Sequence, residues 1–144
     1  AATRAGADPG APGAGSVTVR FVRDGDGEAA SIIPDATEVA AVQAHIDALR
    51  PVTAALTAVA PVAVPLDFTI ELTPNTAAVK AAVEASLRDL LAREAEPGAT
   101  ILLSHIREAI SVAAGETDHV LTAPAADVVH ATGQIATFGA ITWV

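Results

Sequence analysis

The amino-acid sequence predicts an α+β domain, a sheet backed by helices on one face. Three observations predict it. Apolar residues recur with a period of two in some segments and of three to four in others, the marks of strands with one wet face and of amphipathic helices. The order of these segments contains β-α-β twice, close to a ferredoxin-like split β-α-β sandwich, with an antiparallel or mixed sheet, two main helices on one face, an added short helix and a C-terminal strand. Finally, 144 residues with 51% apolar content make one domain with ample material for a core.

Residues 1–15, AATRAGADPGAPGAG, hold four glycines and two prolines with no apolar period, which reads as a flexible linker ahead of a domain over 16–144. SVTVRFVRDGDG then alternates Val17, Val19 and Phe21 against Thr18 and Arg20, a half-buried strand broken by Asp24-Gly25-Asp26-Gly27. From Pro34 to Arg50, Val39, Val42, Ile46 and Leu49 stand three and four apart, and Asp35 with Glu38 forms a capping box. Pro51 ends that helix. Two strand-like runs follow, and in the second Leu66, Phe68, Ile70 and Leu72 face the core while Asp67, Thr69 and Glu71 face water. Pro61 and Pro65 disfavour a fully paired position there, because proline has no N–H to give a ladder.

The clearest helix is Asn75 to Glu94, whose stripe is Val79, Val83, Leu87, Leu90 and Leu91. Glu96-Pro97-Gly98 stops it. Ser104 is placed to cap a shorter helix with apolar positions Ile106, Ala109 and Ile110, closed by Gly115. Strand-like runs at His119 to Thr122 and Gln134 to Val144 complete the chain, separated by a loop around Pro124 and Asp127.

Composition narrows the function. Seventeen acidic against eight basic residues give a net charge of -9, which repels a phosphate backbone, so nucleic acid is not an expected partner. Aromatics at 3% offer no stacking platform for bases or sugars. Without cysteine there are no disulfides, thiolate metal sites or cysteine nucleophile. No apolar run reaches the roughly 18 residues of a bilayer-spanning helix, and the start lacks a signal-peptide pattern, so no membrane contact is expected. A chain that begins with Ala1 and has no methionine reads as part of a longer polypeptide.

The polar residues show no spacing that marks a catalytic or metal site. His45, His105, His119 and His130 stand singly on different elements, without HxxxH or HxH spacing. No GxSxG elbow surrounds Ser104 or Ser111, and no GxGxxG or phosphate loop is present. Glu116 and Asp118 flank Thr117 and read as a solvated turn, although paired carboxylates are also acid/base candidates. The loop Asp24 to Glu28 is acidic and glycine-broken but lacks the spacing of an EF-hand. No catalytic, metal or cofactor-binding residue is assigned. Two other readings stay open: a small metal-dependent hydrolase using His105, Glu116, Asp118 and His119, and an acidic ligand-binding module with an apolar pocket.

Taken in order, SVTVRFVRDGDG, the stretch with Arg50-Pro51 and a strand ending in LTP, the LSHIREAI helix and the closing GQIATFGAITW resemble one family. The chain looks like the C-terminal portion of a baseplate J-like protein, the baseplate wedge component of Mu-like and P2-like contractile-tailed phages. The resemblance implies a non-enzymatic subunit of a phage, prophage-derived or related injection-device baseplate, located in the virion tail and assembled in the bacterial cytoplasm. It implies partners among other wedge subunits and copies of itself, and no small-molecule substrate or cofactor. Candidate contact surfaces are the strand edge near Pro61 to Pro65 and the segment Phe138 to Val144, with Trp143 read as a core plug.

Overall fold

The computed structural model describes residues 3–8, 16–23, 33–49 and 55–144. In chain order the elements are β1 (Thr3–Asp8), β2 (Ser16–Arg23), α1 (Ala36–Leu49), β3 (Ala55–Val59), β4 (Val62–Thr73), α2 (Ala77–Glu94), β5 (Thr100–Ile101), α3 (Leu103–Ser111), β6 (Asp118–Ala123), β7 (Val128–Val129) and β8 (Gln134–Trp143). The strands form three sheets, ordered β1-β2-β3, β6-β4-β8 and β5-β7. The acidic loop Asp24 to Glu28 lies outside the described residues.

The fold is thus α+β with strands of mixed direction, but the split β-α-β arrangement of a ferredoxin-like sandwich is not what the pairings show. That arrangement would weave the strands into a single sheet. Here β2 and β3 pair in parallel across α1 in their own sheet, while β4 pairs antiparallel with β6 and parallel with β8 in another. The break falls at the prolines. Pro61 separates β3 from β4, and Pro65 lies where β4 is bonded to β8 alone, because β6 pairs only with Thr69–Thr73. A residue without an N–H is tolerated on that one-sided segment. Thr3–Asp8, inside the stretch expected to be a linker, runs as a strand antiparallel to β2. Its backbone groups supply the ladder whatever the side chains are, which is why composition did not announce it.

The main core lies between β4, α2 and α3. Leu66, Phe68, Ile70 and Leu72 of β4 are all buried, as the period of two requires. The buried residues of α2 are Val79, Val83, Leu87, Leu90 and Leu91, and those of α3 are Ile106, Ala109 and Ile110, the same residues their spacing selects. Thr76 caps α2 by accepting a hydrogen bond from the Val79 amide at 3.3 Å. The capping box of α1 is also formed: Glu38 N–H donates to Asp35 Oδ1 at 2.8 Å and Asp35 N–H to Glu38 Oε2 at 2.9 Å. Helix α1 itself has no fully buried residue, and Leu49 is exposed.

Two strands depart from simple alternation. In β2 both Phe21 and Val22 are buried, so both faces are covered at its end, Val22 by the main core. In β4 the pairing with β8 shifts register between Leu66 and Phe68, placing Gly139 and Ala140 opposite Asp67. Asp67 Oδ1 repairs the interrupted ladder by accepting from the Ala140 N–H at 2.8 Å. Gly139 makes room for this: a Cβ there would collide with Asp67 Oδ1 and lie 2.8 Å from the Leu66 carbonyl oxygen.

Three outcomes are expected in urea denaturation. Ile110→Ala, truncating a side chain with no exposure, should cost about 2–5 kcal/mol. Gly139→Ala should cost about 1–3 kcal/mol by forcing the bulge apart, whereas Val129→Ala, at 74% exposure, should stay within about 0.5 kcal/mol.

Candidate functional site

The ionisable residues fall into separate clusters. The first sits where α2 ends beside α3. Its start was expected to be capped by Ser104, but Ser104 lies inside the helix; Leu102 is the N-cap residue and offers no side-chain bond. Asp127 Oδ1, from the loop before β7, accepts the Leu103 N–H at 2.8 Å instead. A carboxylate from 24 residues away thus takes over the capping duty, which no local pattern could reveal. Within the same first turn of α3, His105 Nδ1 lies 2.9 Å from the Glu94 carboxylate at the end of α2. Both line an open groove of about 110 Å³ together with Leu90, Arg93, Glu108, Ala109 and Val112.

The second cluster opens β6. His119 Nδ1 lies 2.8 Å from Glu116 Oε1, and their side chains are only 13% and 7% exposed. The turn expected to be solvated is so only in part: Thr117 and Asp118 are exposed, while the Glu116 side chain is covered. It is tied down by Thr117, whose N–H and hydroxyl both donate to the Thr73 carbonyl, at 2.9 and 2.7 Å. Asp118 Oδ1 accepts the His119 N–H. The remaining histidines go elsewhere: His45 is exposed on α1, and His130 is buried with Nδ1 2.9 Å from the Ala99 carbonyl oxygen.

The four residues of the hydrolase reading are accordingly not one constellation. Glu116, Asp118 and His119 are neighbours at the start of β6, while His105 is held by Glu94 in a groove that His119 does not line. Among the described residues, no three His, Asp or Glu side chains are grouped to hold a metal ion. Each His–carboxylate pair could orient a base, yet neither is shown beside a nucleophile and an oxyanion donor.

The apolar surface is more distinctive. Phe138 packs against Phe68 in a tilted arrangement with ring centroids 5.9 Å apart and carries the Arg88 guanidinium 4.0 Å above its ring; Lys80 stands 5.6 Å over Trp143. Phe138, Ile141 and Trp143 pack against the core, so much of the Phe138 to Val144 segment is covered by α2 and only Val144 among its large apolar residues is exposed. At the other candidate surface Val62 is 63% exposed. Sequence reading missed three more exposed apolar residues: Leu102 between β5 and α3, Val129 on β7, and Val120 on the outer strand β6. Strands this short carry no readable period.

The hydrogen bond and charge of Glu94 raise the His105 pKa above its ordinary value of 6.5, with Glu108 adding to the effect and partial desolvation and Arg93 opposing it. A raised folded-state value means the pair stabilises fully below pH 6.5 and loses its contribution as pH rises through the folded-state value. Titration of the His105 ring by NMR should give a midpoint above 6.5 that Glu94→Gln moves back down.

Comparison with known proteins agrees with the closing motifs. Residues 66–144 match the family model of the baseplate J-like protein C-terminal domain, and residues 1–60 that of the baseplate J-like central domain. The chain is 39% identical over 112 residues to the putative protein JayE of Escherichia coli strain K12, covering 77% of this chain and 43% of that protein. It is 35% identical over 142 residues to the Mu-like prophage FluMu protein gp47 of Haemophilus influenzae, covering 92% of this chain and 39% of that one. This chain therefore spans about two fifths of the length of these relatives. With family matches on both sides of Pro61 and the C-terminal match alone covering more than half of its residues, the chain belongs to the baseplate J-like protein family.

Proposed function

We propose that this chain is part of a structural subunit of a contractile-tail baseplate, of a phage or of a prophage-derived device, and that it works by assembly with other wedge subunits and copies of itself. The observation that carries the reading is the pair of family matches, central domain then C-terminal domain, along nearly the whole chain. The geometry is consistent with it. Polar side chains are engaged in a cap, a bulge and a part-buried His–Glu pair, and the surface offers exposed valines on outer strands and at the β3-β4 turn. The acidic balance disfavours DNA or an anionic membrane surface as the partner. We also place the protein in the virion tail, with assembly in the bacterial cytoplasm, and assign it no enzymatic role.

The decisive experiment deletes the gene from the tail cluster and complements it with a tagged full-length copy. Purified tails should contain the tagged protein at the baseplate, and cells without it should yield tails lacking an assembled baseplate. Contractile tails with a complete baseplate in the deletion strain would overturn the proposal. A charge placed on the exposed patch, Val120→Glu, should leave the melting temperature nearly unchanged and reduce incorporation into tails if β6 is a contact strand.

A further inference from the structure

The β1-β2-β3 sheet ends at β3, and among the described residues no strand lies on the far side of β3. A side chain occupies the place of one. Gln43 of α1 accepts the Ala58 N–H on Oε1 at 2.6 Å and donates from Nε2 to the Leu56 carbonyl oxygen at 2.9 Å. In a parallel ladder one residue of the next strand bonds the C=O of residue i and the N–H of residue i+2 across from it. The Gln43 carboxamide makes that same pair of bonds. Its orientation is fixed, because the other Nε2 hydrogen goes to Asp47 Oδ1 at 2.9 Å, one turn along the helix, and a flipped amide would set oxygen against both acceptors.

The edge it covers is one that invites pairing. β3 is ALTAV, with no charge and no proline to blunt it, unlike the usual guarded edge strand. The helix that brings Gln43 is held lightly otherwise. It has no fully buried residue; Val39, Val42 and Ile46 are half-buried, and Glu38 makes a partly exposed ion pair with Arg23 at 3.2 Å. The carboxamide gives this helix a directed hold on the strand.

We propose that Gln43 guards the edge of the first sheet, keeping β3 from adding a strand of a second copy of this chain by filling the hydrogen-bonding positions that strand would take. The role is independent of the baseplate assignment, since it rests on the ladder geometry alone. In an assembly built from many copies held close together, the guard confines association to other surfaces.

The test compares the 144-residue chain with Gln43→Leu, which keeps bulk and helix propensity while removing both bonds. Exchange of the Ala58 amide with solvent deuterium should quicken by about tenfold or more, and sedimentation should show more self-association than the parent at equal concentration. Adding Thr57→Lys, a charge on the exposed face of β3, should return the double variant to the parent's sedimentation, since a lysine on an edge opposes pairing. The proposal falls if Ala58 keeps its protection in Gln43→Leu, if that variant associates no more than the parent, or if Thr57→Lys fails to reverse the association. The last result would assign it to a loosened core instead of an open edge.

Discussion

Burial of one face of β4 is the constraint from which the rest of the structure follows. Leu66, Phe68, Ile70 and Leu72 are too large to leave in water and too close together to be covered by a loop, so a long helix must lie on them. Helix α2 does, through five residues on one stripe, and α3 closes the remaining side with Ile106 and Ile110. Once that sandwich is set, β8 has its place along β4. Phe138 meets Phe68 across the pair, and Arg88 and Lys80 of α2 extend over the rings of Phe138 and Trp143, covering them with side chains that keep their charges wet.

The polar residues serve this core in a consistent way. Asp67 restores a bond where the β4-β8 register slips, Asp127 caps α3 from a distance, the Glu116 and His119 side chains satisfy each other at the start of β6, and Gln43 occupies an edge. Each fills a backbone or side-chain valence that the apolar packing would otherwise strand, where an unmade bond costs more than a made one gains. Ionisable groups are thereby kept apart by the scaffold's needs. A catalytic centre needs the opposite, several such groups turned toward one cavity, and the described clusters stand apart as pairs.

The exposed surface is the part of the molecule that bears on the proposed assembly role. Exposed valines lie on β6, on β7, at the β3-β4 turn and at the C-terminus, dispersed over several elements. Such a distribution suits a subunit that meets neighbours on more than one side, as membership of a baseplate family implies for the proposed role. The strand edges would then need to be unequal, some available and some closed, and the carboxamide on β3 is a physical means of making them so.

The local periods determined the α+β class, the faces of α2, α3 and β4, the capping box of α1 and the one-sided pairing at Pro65, because each depends on residues within a few positions of one another. The order of several motifs along residues 16–144 likewise marked its family. Only the tertiary structure decided that β2 and β4 belong to different sheets, that Thr3–Asp8 becomes a strand, that Asp127 and not Ser104 caps α3, and that the Glu116 side chain is covered beside His119. Those outcomes depend on groups brought together from distant parts of the chain, through backbone bonds that any side chain permits and packing that cannot be read from neighbours in sequence. A period shows which face is greasy; which other face it will meet is settled by the whole chain at once.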